Sequence, residues 1–106
     1  RLRVVLNNLI SNAFKYQDTT KANPYLRVSG LIDSDICSIH IEDNGIGIRE
    51  EHHKNLFNMF YRANDVTEGS GLGLYIAREN VSKLKGTISF TSTYGLGSRF
   101  TVHIPA

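Results

Sequence analysis

Apolar residues follow two different periods along the chain, and each period predicts a different kind of element. From Arg1 to about Tyr16 they recur at helical spacing, which predicts an amphipathic helix with one buried face. That face is predicted to contain Leu2, Val5, Leu6, Leu9, Ala13 and Phe14. Over 36–42, apolar residues alternate with polar ones, which is typical of a strand buried on one side.

The other segments combine turn signals with short apolar patterns, and they predict a mixed α/β order. The predicted bounds are a loop at 17–24, strands at 25–31 and 36–42 with a turn at 33–35, a helix at 49–60, a loop at 61–70, a helix that follows 69–74 and stops at Gly86, and strands at 87–92 and 98–104 around a turn at 94–97.

Composition limits the classes of protein that this chain can represent. At 106 residues with 41% hydrophobic content, one domain with a single core is expected over 1–106. A net charge of +2 with mixed signs gives no indication of a nucleic-acid or membrane surface. The single Cys37 excludes a disulfide framework within the chain, and we expect a cytoplasmic setting. The sequence opens inside a helical pattern, so we expect an N-terminally truncated fragment of a longer protein.

Asp43 stands at a position where the strand pattern predicts a buried apolar residue. The alternation that places Ile39 and Ile41 on the buried face places Asp43 there as well. A buried carboxylate is costly unless donors hydrogen-bond it, so we expect donors from the protein or from a ligand with an amino group. Gly45 and Gly47 follow, and they would let a flat group approach the backbone. An ordinary turn after a strand is the alternative.

Two further segments carry candidate chemistry. On the first helix, Asn8, Asn12 and Lys15 are spaced i, i+4 and i+7, which forms one polar ridge beside the apolar face. That ridge would border a pocket, or it is a solvated flank. The glycine-rich run at 69–74 leads into a helix whose free amides would bind an anion, unless its glycines serve helix–strand packing. The loop at 61–70 between the two glycine motifs is a candidate lid.

In this order, the motifs resemble those of the ATP-binding catalytic domain of bacterial sensor histidine kinases. Residues 8–16 (NLISNAFKY) resemble the N box of that family, 43–48 (DNGIGI) the G1 box, 56–62 the F box and 69–74 (GSGLGL) the G2 box. The wider Bergerat-fold group of ATPases shares the first, second and fourth. The resemblance implies a two-layer α/β sandwich of the Bergerat type, with helices packed on a mixed, mainly antiparallel sheet.

The resemblance also implies roles for the residues that match its motifs. Asp43 would accept the exocyclic amine of adenine, with Gly47 near the base and Ile48 and Tyr16 as apolar walls. Asn12 would bind Mg²⁺, with Asn8 beside it. The implied catalytic residues are Asn8, Asn12, Lys15 and Arg62, and the implied nucleotide-binding residues are Asn12, Lys15, Tyr16, Asp43, Gly45, Gly47, Ile48, Phe57, Phe60, Gly69, Gly71, Leu72, Gly73 and Leu74.

The function implied is binding of Mg-ATP and transfer of its γ-phosphoryl group to a histidine on a separate dimerisation and phosphoacceptor domain, which later phosphorylates a response regulator. A monomeric fragment of a homodimeric parent, without nucleic-acid partners, is expected. None of the four histidines has the setting of the family's phosphoacceptor, and Asn58-Met59 replaces the usual acidic and proline residues of the F box. The alternatives are a catalytically silent nucleotide- or partner-binding module and a Bergerat serine kinase of the anti-sigma type.

Overall fold

The protein is a two-layer structure with helices on one face of a four-stranded antiparallel sheet, in a computed structural model that describes residues 1–61 and 72–106. The elements are α1 (Leu2–Lys15), β1 (Leu26–Asp33), β2 (Ile36–Asp43), a 3₁₀ helix (Glu50–Asn55), α2 (Gly73–Lys83), β3 (Thr87–Thr93) and β4 (Gly97–Pro105). The strands lie in the order β1-β2-β4-β3. The predicted α/β sandwich is confirmed, and all three pairs of described strands are antiparallel.

The core lies between the helices and the inner face of β2 and β4. Ile41 pairs with Phe100 and Ile39 with Val102 in the register of these strands, so their side chains share one face. The same alternation places Asp43 on this face, opposite Ser98, and both are buried. The buried apolar residues are Val5, Leu9, Ala13, Ile39, Ile41, Ile48, Leu56, Ala77, Val81, Phe100 and Val102.

The predicted apolar face of α1 is largely correct, with one residue misplaced. Val5, Leu9 and Ala13 are buried, but Phe14 is 62% exposed. Each residue of an α-helix turns by about 100°, so Phe14 points away from the direction of Ala13 and past the edge of the core. Phe14 instead lines a small pocket with Pro24 and Tyr25.

The helix predicted at 49–60 is wrong in type and length. The structure has a six-residue 3₁₀ helix, Glu50–Asn55, followed by turns. Asn58 donates from its side-chain nitrogen to Oδ1 of Asn55 at 3.1 Å, and such local bonds favour turns over a continued helix. Phe60 has a positive φ of 64° and is 64% exposed, so it cannot extend a helical face.

The sequence predicts that α2 stops at Gly86. In the structure α2 ends at Lys83, and the left-handed position that usually holds glycine is Lys85, one residue before Gly86. Lys85 has the left-handed conformation, with φ of 62°. The amides of Lys85 and Gly86 donate to the carbonyl oxygens of Ser82 and Val81 at 2.9 Å each, which is the Schellman pattern. Gly86 is needed for a different reason, because a Cβ there would overlap the carbonyl oxygen of His103.

Candidate functional site

Asp43 is the centre of the candidate site. The residue is almost removed from solvent, with 8% of its surface exposed. The amide of Gly45 donates to Oδ1 of Asp43 at 2.8 Å. Burial raises the pKa of Asp43, while hydrogen bonds from the backbones of Gly45 and Ser98 oppose that rise. The strand pattern therefore placed this acid correctly, and the protein itself provides donors to it.

Gly45 and Gly47 lie against backbone on opposite sides of the turn that follows β2. A Cβ on Gly45 would overlap the carbonyl oxygen of Tyr16 at the end of α1. A Cβ on Gly47 would overlap that of Thr93, and Gly47 also has a positive φ of 73°. The turn after β2 packs against the end of α1 on one side and against the β3–β4 turn on another, and this packing requires both glycines. The requirement holds whether or not a ligand approaches the same backbone.

Two side chains whose contacts the sequence did not predict join this turn to the segment at 21–25, Lys21 from the loop and Asn44 from the turn itself. Lys21 donates to the carbonyl oxygens of Asn44, Gly45 and Gly95 at 2.6, 3.1 and 2.8 Å. The side chain of Asn44 accepts from the amide of Tyr25 at 2.8 Å and donates to the carbonyl oxygen of Asn23 at 3.0 Å. The turn-forming character of Asn44 was visible in the sequence, whereas the role of Lys21 depends on loop geometry that no local pattern encodes.

Asn8, the first residue of the polar ridge of α1, faces the beginning of α2, so the structure brings this residue close to the last motif. A Cβ on Gly73 would lie 3.4 Å from Oδ1 of Asn8. Asn8 donates from its side-chain nitrogen to the carbonyl oxygen of Val4 at 2.9 Å, which leaves its oxygen toward α2. Asn12 is half-buried and Lys15 is exposed. The side-chain amide oxygen of Asn12 is an acceptor of the kind that can bind a metal ion.

The first turn of α2 has the features of an anion-binding helix start. Gly73 is its first residue, Leu72 is its N-cap, and no side chain among the described residues caps it. Uncapped amides and the positive end of the helix dipole favour negative charge at that position. Leu74 belongs to this turn and packs against the core. Gly69, Gly71, Arg62 and most of the proposed lid at 61–70 lie outside the described residues.

The remaining predicted nucleotide-binding residues differ in how they are placed. Ile48 is 3% exposed and lies in the core, and its amide donates to the hydroxyl of Ser92 at 2.8 Å. Phe57 packs edge-on against Phe90, with the ring centres 5.8 Å apart, next to the core. Phe60 is 64% exposed and contributes little to that core. Tyr16 is half-buried, and it provides the C-cap of α1.

A pocket of about 120 Å³ opens beside Asp43 on the side of β1. It is lined by Ala13, Phe14, Gln17, Pro24, Tyr25, Leu26, Asp43, Asn44 and Gly45. Asn8, Asn12 and Lys15 do not line it, so this pocket is separate from the space between α1 and the beginning of α2.

The donor set near the ridge fits a magnesium ion only if phosphate and water complete the coordination. Over 1–61 and 72–106, no cluster of three or more His, Cys, Asp or Glu residues could hold a metal. Mg²⁺ prefers hard oxygen ligands and usually keeps several waters beside one or two protein ligands and substrate phosphates. The amide oxygens of Asn8 and Asn12 suit that pattern, since each is an uncharged hard oxygen.

Comparison with known proteins agrees with this arrangement. The sequence family described as histidine kinase-, DNA gyrase B- and HSP90-like ATPases matches residues 1–106. Sensor histidine kinase RcsC of Escherichia coli (strain K12) is 38% identical over 99% of this chain and 11% of its own length. Cyanobacterial phytochrome B of Nostoc is 42% identical over 91% of this chain and 13% of its own length. Aerobic respiration control sensor protein ArcB of E. coli is 35% identical over 100% of this chain and 14% of its own length.

Solved structures of histidine kinases share the fold. The mycobacterial sensor histidine kinase MprB superposes with a TM-score of 0.81 at 25% identity, covering 96% of this chain and 68% of that one. Full-length ShkA, solved in complex with AMPPNP, superposes with a TM-score of 0.79 at 26% identity, covering 98% of this chain and 21% of that one.

The chain spans only about a tenth to a seventh of the length of the curated relatives named above. Among the described helices, none has the length and apolar character required to cross a bilayer.

Proposed function

The chain belongs to the family of histidine kinase-, DNA gyrase B- and HSP90-like ATPases, and we propose that it binds Mg-ATP and donates the γ-phosphoryl group to a histidine on a separate domain. Its relatives are sensor histidine kinases, so ATP binding and a kinase role follow at the level of the family. We propose in addition the transfer step, the acceptor domain and the roles of the individual site residues.

The observation that carries the proposal is the buried carboxylate of Asp43 at the end of β2. An acid that is 8% exposed on the apolar face of a sheet costs stability, and that cost is expected at a position kept for binding. Its pKa is raised by burial. A carboxylate in this setting is a strong acceptor for the exocyclic amine of adenine, with the half-buried Tyr16 ring as a wall of the base slot.

The triphosphate would lie between the ridge of α1 and the first turn of α2. Uncapped amides near Gly73 would donate to phosphate oxygens, and Lys15 would offset their charge. Asn12 would bind the metal through its amide oxygen, with Asn8 ordering the surrounding water. A bound magnesium ion would neutralise charge on the transferring group. Phosphoryl transfer depends mainly on such positioning and charge stabilisation, so these residues need no nucleophile among them.

The histidines of this chain are engaged in structural contacts, which supports an acceptor on another domain. His40 hydrogen-bonds the hydroxyl of Thr101 at 3.0 Å and His103 that of Ser38 at 2.9 Å. His53 contacts the carbonyl oxygen of Ile48 at 2.9 Å, and His52 pairs with the hydroxyl of Tyr61. We propose the dimerisation and phosphoacceptor domain of a homodimeric parent as the acceptor, with a response regulator as the eventual recipient.

A transfer assay tests this function. The purified chain is incubated with γ-labelled Mg-ATP, alone and with the phosphoacceptor domain of the parent protein. A second acceptor domain, in which its phosphorylatable histidine is replaced by glutamine, is the matched control. We expect acid-labile phosphate on the intact acceptor domain only. Failure to bind ATP would contradict the function as a whole, and stable phosphate on any of the four histidines of this chain would contradict the separate acceptor.

A further inference from the structure

Lys21 makes an unusually complete set of contacts for a residue in a polar loop. Its ammonium group donates to the carbonyl oxygens of Asn44, Gly45 and Gly95, at 2.6, 3.1 and 2.8 Å. A lysine ammonium has three donors and no acceptor, so all of its hydrogen-bonding capacity is used by these carbonyls. The side chain is half-buried. It is therefore not free to bind the phosphates of a nucleotide.

The three carbonyls belong to two turns that otherwise meet through few bonds. Asn44 and Gly45 form the turn directly after Asp43, while Gly95 lies in the turn between β3 and β4. The amide of Gly95 donates to the carbonyl oxygen of Ile46 at 2.6 Å. Lys21 thus closes the second side of this junction, because the amide of Gly95 donates to Ile46 and the carbonyl oxygen of Gly95 accepts from Lys21.

The loop that carries Lys21 is itself anchored to the turn after β2. The side chain of Asn44 bonds the backbone of Asn23 at 3.0 Å and of Tyr25 at 2.8 Å. These contacts hold the loop on the C-terminal side of Lys21, because Asn23 and Tyr25 follow Lys21 closely in sequence. The backbone that follows Lys21 is therefore held beside the turn by contacts other than those of the ammonium group.

We propose that Lys21 is a positioning residue that holds the turn at 44–46 so that the Asp43 carboxylate keeps the geometry required to recognise an adenine amine. Without the ammonium, three carbonyl oxygens would face one another unpaired in a half-buried space, and the turn would separate from the Gly95 turn or admit water. The amide of Gly45, which donates to Oδ1 of Asp43 at 2.8 Å, would move with it. Burial raises the pKa of Asp43, and the positive charge of Lys21 offsets part of that rise.

A compact ammonium suits this junction better than a guanidinium group. The three carbonyls converge on one atom, Nζ, from two different turns. Arginine would keep the charge, but its planar fork distributes donors over a wider area. We therefore expect Lys21→Arg to preserve the function only in part, and Lys21→Met, which has a similar length and no charge, to lose it.

This inference rests on the proposed function, because the carboxylate that Lys21 positions is the proposed adenine acceptor. The test measures Kd for ATP and for inosine triphosphate, which has a carbonyl in place of the amine, with the parent chain, Lys21→Met, Lys21→Arg and Lys83→Met. Lys83 is an exposed lysine in the last turn of α2 and serves as the matched control. Melting without nucleotide measures stability separately.

We expect Lys21→Met to weaken ATP binding by about tenfold, the effect of losing one well-formed charged hydrogen bond, while inosine triphosphate binding changes much less. The preference for ATP should fall accordingly, Lys21→Arg should be intermediate, and Lys83→Met should match the parent.

Other results would contradict the proposal in distinguishable ways. A Lys21→Met chain that melts earlier but keeps the parental preference for ATP would show that Lys21 is a structural brace only. If Lys21→Met does not fold, Lys21→Arg provides the test. A parental preference for ATP in Lys21→Arg would likewise show that Lys21 is a structural brace only. If neither folds, Lys21 is required for folding and the positioning role is wrong. A parent chain that does not bind ATP would contradict the proposed function itself.

Discussion

The carbonyl oxygen of Tyr16 occupies the position that a Cβ atom on Gly45 would require. The same oxygen accepts the amide of Ile46 at 2.9 Å. The end of α1 and the turn after β2 are therefore in direct backbone contact, although 28 residues or more separate them in sequence. This contact joins the helix that carries Asn12 to the turn that follows Asp43, so the two halves of the proposed site are built as one unit.

Gly45→Ala should disrupt this unit. The new Cβ would overlap backbone, which cannot move as a flexible side chain would, and overpacking of this kind costs about 1–3 kcal/mol. Denaturant unfolding measures the loss of stability, and ATP binding should weaken with it. Gly30→Ala is the matched control, because its Cβ would lie at an ordinary 3.6 Å from the carbonyl oxygen of Ser38. Equal stability of the two variants would contradict the tight contact.

Asn12→Ala should reduce Mg²⁺-dependent ATP binding and phosphoryl transfer much more than it reduces stability. The replacement removes an oxygen ligand, and alanine is the better helix former by a few tenths of a kcal/mol. Asn8→Ala should have a milder effect on binding. Titrations of ATP with magnesium and with a chelator, together with thermal melts, measure the two effects separately.

Asn7→Ala is the control for the ridge, since Asn7 lies on the exposed face of the same helix. It should leave binding unchanged in both conditions. If Asn12→Ala instead unfolds the domain, or transfers phosphate at the parental rate, then the ridge has a structural role and the metal assignment is wrong.

The burial of Asp43 predicts a particular dependence of stability on pH. Burial raises its pKa in the folded protein above the ordinary value of 3.8, so the folded state binds a proton more readily than the unfolded state. The stabilising contribution of this carboxyl group is therefore complete below 3.8 and is lost as the pH rises through the folded pKa. Asp43→Asn has no such titration, so the parent should gain stability relative to this variant as the pH falls from neutral.

Unfolding free energies of both proteins across that range provide the measurement. Parallel curves would mean that Asp43 titrates alike in the folded and unfolded states, contrary to its burial.

Lys85→Gly should stabilise the domain. Lys85 has φ of 62° at the C-terminus of α2, a conformation that costs a residue with a Cβ about 1–2 kcal/mol. Glycine avoids that cost but gains more freedom when unfolded, so a net increase of about 0.5–1 kcal/mol is expected. Thermal melts test this, with the exposed Lys83→Gly in the preceding helical turn as a control that should be destabilising. Lower stability of Lys85→Gly would indicate that the lysine side chain contributes more than its backbone conformation costs.

The sequence predicted the elements whose residues follow a clear period. It also predicted the burial of Asp43, because this acid stands at an apolar position of the alternating strand pattern. It failed at 49–60, where aromatic residues had a helical spacing but the side chains of Asn55 and Asn58 bond to each other in turns. Lys21 could not be predicted, because its three acceptors come from segments distant in sequence and converge only in the folded chain. The same holds for Gly45 and Gly47, whose need for glycine comes from Tyr16 and Thr93.

The most direct test of the central claim is calorimetric titration of ATP and inosine triphosphate into the parent chain and into Asp43→Asn. The parent should prefer ATP, because its buried carboxylate accepts the adenine amine and opposes the carbonyl of inosine. Asp43→Asn should bind ATP at least about tenfold more weakly and lose that preference, since an amide cannot replace the charged acceptor without turning a donor toward the amide of Ser98. A folded Asp43→Asn variant with parental affinity for ATP would contradict the adenine-binding role of Asp43.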